Sequence, residues 1–223
     1  MSIPCFSNMP IYDCPRCARQ YIDNNYSKYD RDYTDGVEGG FRFAPAGYTP
    51  YLCTCGNTLW WHELTPAFSG SEELLVGGLY EARTPSFSRY VKIAEESIGD
   101  RRKEKCARIN AWRKGNDARR LPLSRHHKLL KFEQENLLCL NKLLDGDDRW
   151  ELLDKADIER SLGHFEDAIN LLDSFHHLPE NSDENARMEA IRFLAKQTST
   201  LVVPIYDALL ASGKSVERKP ICV

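Results

Sequence analysis

The chain has 223 residues, a formal net charge of −3 and a mean hydropathy of −0.52. So even a charge balance gives no general attraction to nucleic acid or to an anionic membrane. No window holds the about 18 continuous apolar residues that a membrane-crossing helix needs. Residues 1–14 have neither a basic start nor an apolar core. No secretory signal is therefore expected, and a cytoplasmic location is. In a reducing compartment, clustering among the eight cysteines points to metal rather than to disulfides.

In chain order, the first third combines paired cysteines with tyrosines and tight-turn signals: Asp35-Gly36, Gly39-Gly40 and Pro45-Ala46-Gly47. These punctuate short aromatic runs such as Phe41-Arg42-Phe43 and Thr58-Leu59-Trp60-Trp61, the pattern of short strands. Such a segment is too small and polar to build its own core, so a staple is expected. After residue 70 the pattern turns helical. Helices are expected over residues 88–98, 100–114, 124–144, 148–162, 165–175, 182–196 and from 204 to just before Gly213. Asp148 suits the start of the fourth and Gly163 its end. Cys106, Ile109 and Trp112 share one face of the second helix, and Phe165, Ala168, Ile169, Leu172 and Phe175 form a stripe on the fifth. The expected class is α+β: a small β domain over 1–70 and an all-α domain over 71–223.

Four cysteines fall in two close pairs, Cys14-Pro15-Arg16-Cys17 and Cys53-Thr54-Cys55-Gly56. Zinc prefers four soft or borderline ligands in a closed tetrahedron, and two short loops supply them. Backbone N–H groups in such loops stabilise thiolates, as does the metal itself. Structural Zn2+ on Cys14, Cys17, Cys53 and Cys55 is the expectation, with the β module zinc-ribbon-like. The second pair is one residue short, so its turn must differ from the first, and His62 or the more distant Cys5 are alternative fourth ligands. Gly56 stands where a positive φ is often required. Cys106 and Cys139 are expected to fill core, and Cys222 to be a free thiol.

The fourth and fifth helices form a hairpin in which Leu152, Ala156, Gly163, Phe165 and Ala168 have spacings that resemble one tetratricopeptide unit, with Glu159 at the place of the usual tyrosine. The wider order is a paired-cysteine segment with a Tyr33-Thr34-Asp35-Gly36 insert, then an aromatic run. Ala111-Trp112-Arg113, Asn116-Asp117 and Arg119-Arg120 follow, then Leu162-Gly163-His164-Phe165-Glu166-Asp167-Ala168-Ile169 with Leu171-Leu172-Asp173. This resembles a group of uncharacterised bacterial proteins with an N-terminal zinc ribbon and a C-terminal tetratricopeptide-like helical region. Its members usually carry Cys-x-x-Cys at the second pair as well. The resemblance implies an architecture and no activity.

Charge is distributed unevenly. Residues 101–131 hold twelve Lys/Arg against Glu104 and Asp117, whereas residues 133–187 hold fifteen acids and five Lys/Arg. Oppositely charged helices that pair with one another explain this, and so would a basic phosphate-binding face; the basic stretch has Trp112 but no ladder of aromatics for stacking bases. A non-enzymatic adaptor role with a protein partner on the helical region is the preferred reading, and nucleic-acid binding through 101–131 the alternative. No catalytic or organic-cofactor residue is assigned. His62-Glu63 begins a zincin-like motif, but Pro66 stands where its second histidine belongs, and Gly77-Gly78 lacks the Lys-Ser/Thr of a phosphate loop. His126-His127 and His176-His177 are adjacent pairs whose side chains diverge on a helix, and His164 is expected to be exposed in a turn.

Overall fold

A computed structural model describes residues 11–22, 50–64, 66–68, 80–81, 83–120, 128–146, 148–175 and 183–214. The turn signals between residues 33 and 47, Gly77-Gly78, both adjacent His pairs, Cys5 and Cys222 lie outside the described residues. The described chain divides into two compact units between Ala111 and Trp112.

The first unit is built from strands β1 (Ile11–Asp13), β2 (Gln20–Ile22), β3 (Pro50–Leu52), β4 (Thr58–Trp60), β5 (Pro66–Phe68) and β6 (Tyr80–Glu81). One sheet has the order β5-β1-β2-β6, with β1 antiparallel to β2 and β5 and β2 parallel to β6. Strands β3 and β4 form a separate hairpin in the register Tyr51↔Leu59 and Leu52↔Thr58. Strands this short carry little stability alone. Side chains alternate across a strand, so successive residues of the second hairpin serve two cores. Tyr51 and Leu59 pack with Cys14, Tyr21 and Cys53. Leu52 and Trp60 pack with Ile93, Ala94 and Ala107.

Those last three belong to α1 (Phe87–Glu96) and α2 (Arg101–Asn116). The Ser86 hydroxyl caps α1 by accepting from the Arg89 N–H at 3.3 Å. The Asp100 carboxylate accepts the Arg102 and Lys103 N–H groups at the start of α2, each at 3.2 Å. Residue 70 thus marks a change of composition, and the first α-helix among the described residues begins at Phe87, yet α1 and the beginning of α2 share the compact unit of the strands.

The second unit contains α3 (Lys131–Leu143), α4 (Arg149–Leu162), α5 (Phe165–Asp173), α6 (Asp183–Lys196) and α7 (Ile205–Ala211). Asp148 caps α4, accepting from the Glu151 N–H at 2.9 Å, and Gly163 ends it at φ 89°. Ala156 and Ala168 are fully buried, so α4 and α5 approach closely as a hairpin. Leu153, Ala156, Leu172, Met188 and Ile191 form one core, and Ala190, Leu194, Ala208 and Leu209 another. On α5, Ala168 and Leu172 lie deepest in the expected stripe.

Two expectations are corrected. The third helix starts at Lys131, and residues 128–130 before it are not helical. Glu133 fixes that start: it accepts the Leu130 N–H at 2.7 Å and pairs with Arg119, so it is buried. Cys139 is exposed rather than core, because Leu137 and Leu140 take the inward positions of α3; Cys106 is buried as expected.

Much of the charge is internal. Arg160 is 0% exposed and pairs with Asp157 at 2.7 Å, while its Nη1 donates to the carbonyls of Ser199 and Leu201 at 2.7 and 2.9 Å. Arg187 pairs with Asp154 at 2.6 Å, also buried. Removing one member of such a pair strands the other in low dielectric. Arg160→Ala is expected to lower unfolding free energy by about 3–5 kcal/mol in urea denaturation.

At the surface, Glu189 on α6 bonds Lys214 at 2.7 Å and Arg192 at 2.8 Å. Burial alone would raise its carboxyl, but Lys214 and then Arg192 outweigh that and hold it below the ordinary glutamate value. A depressed folded-state value contributes stability above the unfolded value and loses it as pH falls through the folded one. Glu189→Gln should therefore cost about 0.2–1 kcal/mol at pH 7. In thermal melts the gap from wild type should close as pH drops below about 4.3.

Candidate metal centre

Both cysteine pairs sit at hairpin tips. In the first, the Cys14 N–H donates to the Arg19 carbonyl at 2.8 Å and the Ala18 N–H to the Cys14 carbonyl at 2.8 Å. In the second, the Cys53 N–H donates to the Asn57 carbonyl at 2.9 Å and the Gly56 N–H to the Cys53 carbonyl at 2.9 Å. Each of these hydrogen bonds spans one residue fewer than its counterpart. In each tip the residue after the second cysteine has positive φ, Ala18 at 55° and Gly56 at 84°. The missing residue is absorbed by tightening the turn, and Cys55 still faces the first pair.

The four sulfurs lie within 4.8 Å of one another. Cys14 Sγ and Cys55 Sγ are 3.9 Å apart, and Cys17 Sγ and Cys53 Sγ 3.4 Å. A tetrahedral ion with metal–sulfur bonds of about 2.3 Å needs sulfur separations of about 3.8 Å, so size and donor set fit one thiophilic metal ion. None of the four is in a disulfide. Cys14 and Cys53 are each 2% exposed, and Cys17 is on the surface. His62 is exposed on the turn after β4, edge-on to Trp60 with ring centroids 6.0 Å apart, and is not a member of the group; Cys5 lies outside the described residues.

The electrostatics follow from crowding. For Cys53, burial opposes ionisation, but the Tyr21 hydroxyl, then the Cys55 N–H and the neighbouring sulfurs outweigh it and bring the thiol down to about 6. For Cys17, the Arg19 backbone N–H favours the thiolate, yet partial desolvation and contact with the other three sulfurs push it up to about 12. One thiolate is welcome and a second is resisted. A divalent cation among the sulfurs removes that resistance.

Sequence reasoning named the four cysteines and missed the groups around them. Tyr21 on β2 is 0% exposed; its hydroxyl donates to Cys53 Sγ at 3.1 Å and accepts the Thr54 N–H at 3.1 Å. Burial, then the Cys53 sulfur, push that hydroxyl up, which keeps it a donor. Arg19 bonds the Thr54 hydroxyl, and Asn57 Nδ2 lies 3.9 Å from Cys14 Sγ. Tyr21's place in the strand directly after the first pair was the available signal.

Glu159, His164 and Asp167 form a second close group, at the α4–α5 turn. His164 is exposed, as expected, and its Nδ1 is 2.7 Å from Glu159 Oε2, a contact that closes the turn. In comparisons with known proteins, no family model, no curated protein and no solved structure matches this chain.

The two positive-φ residues give a paired test. Gly56→Ala meets no steric neighbour and fails only through φ, so it should destabilise the metal-loaded protein by about 1–2 kcal/mol. Ala18→Gly removes the same strain and should be neutral to stabilising, by up to about 1 kcal/mol, in chemical denaturation.

Proposed function

We propose that the protein is a zinc-binding, non-enzymatic interaction protein. A structural Zn2+ on Cys14, Cys17, Cys53 and Cys55 folds a zinc-ribbon-like module, and the helical region with its tetratricopeptide-like hairpin receives a protein partner. The observation that carries the reading is the convergence of four thiols from two hairpin tips. Zinc favours closed all-thiolate tetrahedra, and four protein ligands leave no open position for a reactive water. The ion therefore acts on folding.

The acidic segment supports a basic peptide or helix as partner. Glu133, Asp154 and Asp157 are buried in ion pairs, while Glu135, Asp145, Asp148, Glu166, Asp167 and Asp173 remain exposed. The nucleic-acid alternative loses several of its cations. Arg108, Arg119 and Arg120 are buried and engaged by Glu104, Glu133 and Asp117. Without those guanidiniums the 101–131 stretch offers a weaker phosphate face, so the adaptor reading leads.

Tagged protein purified from its native cell, with metal analysis and mass spectrometry of what co-purifies, tests the whole reading. The expected result is zinc equimolar with the chain and a salt-sensitive protein partner with a basic segment; nucleic acid alone would overturn the adaptor role. Cys14→Ala or Cys17→Ala should open the N-terminal unit to protease, because structural zinc contributes about 10–16 kcal/mol in small modules. Unchanged metal content and protease resistance in both variants would refute the zinc.

A further inference from the structure

The shortened second pair poses a local problem. A thiolate in a tight turn is stabilised by the backbone N–H groups that follow it. At Cys53 these are few. The Gly56 N–H closes the turn onto the Cys53 carbonyl at 2.9 Å. The Thr54 N–H goes to the Tyr21 hydroxyl at 3.1 Å, and the Cys55 N–H reaches Cys53 Sγ at 3.3 Å. The second strong donor to this sulfur comes from the other hairpin: the Tyr21 O–H, at 3.1 Å.

We propose that Tyr21 is a positioning residue of the metal centre, its hydroxyl adding a second donor to Cys53 Sγ, which the one-residue-shorter Cys53-Thr54-Cys55 turn serves through the Cys55 N–H. This rests on reading the cluster as a metal centre. The hydroxyl takes the Thr54 N–H as acceptor and passes its own proton toward Cys53, so it relays a backbone dipole that does not reach the sulfur. Its ring is fully buried with Cys14, Cys53 and Leu59, so in the folded unit the O–H is held against the sulfur. Arg19 supports the same arrangement by bonding the Thr54 hydroxyl from the first tip. Hydrogen bonds to metal ligands orient them and tune their basicity, and losing one costs about 10–100-fold in metal affinity.

The test uses the full chain, stripped of metal under reducing conditions and titrated with Co2+, then with Zn2+ in competition. Tyr21→Phe should weaken Co2+ binding by about 10–100-fold. It should also shift the thiolate-to-cobalt charge-transfer band, which a purely structural role would leave in place. Inserting one glycine between Thr54 and Cys55 restores a two-residue spacing, and in that background Tyr21→Phe should cost less than about threefold. Equal penalties in both backgrounds, or Tyr21→Phe binding within about twofold of wild type, would overturn the assignment. If Tyr21→Phe does not fold, the wild-type protein loaded with Cd2+ decides: a scalar coupling from the metal nucleus to the Tyr21 hydroxyl proton is expected, and its absence overturns the proposal. Wild-type protein that takes up no Co2+ would defeat the metal reading itself, an outcome separate from an unaffected Tyr21→Phe.

Discussion

Thiols held within 4.8 Å of one another resist being ionised together, and the first unit is arranged around that constraint. Its strands have two or three residues each. Among the described residues, Cys14 and Cys53 occupy the buried positions where the hairpins meet, beside Tyr21 and Leu59. A metal ion there would supply what apolar burial supplies in a larger domain, since four bonds to one ion fix two loops far apart in sequence. The opposed behaviour of Cys53 and Cys17, one thiol down to about 6 and the other up to about 12, is the electrostatic counterpart of that geometry.

The effect extends beyond the tips because a strand has two faces. Leu59 packs toward the cysteines, and its neighbour Trp60 packs against Ile93, Ala94 and Ala107. Lys103 lies over the Trp60 ring at 5.3 Å and pairs with Glu63. The Arg89 guanidinium reaches the Thr58 hydroxyl at 3.1 Å. A hairpin whose register is held at its tip therefore also sets the seat of α1 and the first turns of α2. This is why the compact unit extends past the change of composition near residue 70, which marks a change of periodicity and not of packing.

Legibility in the sequence followed the range of the interactions. The α4–α5 hairpin was readable almost to the residue, because Asp148, Gly163 and the alanines act locally through caps, φ and helix approach. The four cysteines were readable because spacing within each pair is local, although their meeting is not. The start of α3 was misplaced because the deciding contact, Arg119 with Glu133, joins residues outside one helical window. Cys139 was misjudged because a leucine-rich helix offers more apolar positions than its inward face can use. Tyr21 was missed for a similar reason: its position after the first pair is local, but its role depends on Thr54 and Cys53 in another hairpin.

Charge gives the sharpest contrast between pattern and structure. A basic block followed by an acidic block looks like two surfaces of opposite sign, yet several of the arginines are interior. An arginine presents a planar fork of donors, so it can satisfy a carboxylate and backbone carbonyls together, which a lysine cannot do in the same geometry. Arg119 holds Glu133 and donates to the Gly115 carbonyl at 3.0 Å and the Lys128 carbonyl at 3.3 Å. Arg160 holds Asp157 and the carbonyls that precede α7. Each guanidinium joins a carboxylate to backbone carbonyls at the end of a helix or in a connection between helices. Burying a cation there is costly, and the cost is offset because the same group ends two problems at once: an acid that needs a counter-ion and a connection that needs donors. The acids left without such work face solvent, so the surface sign of the helical unit is set by what its interior arginines have already neutralised.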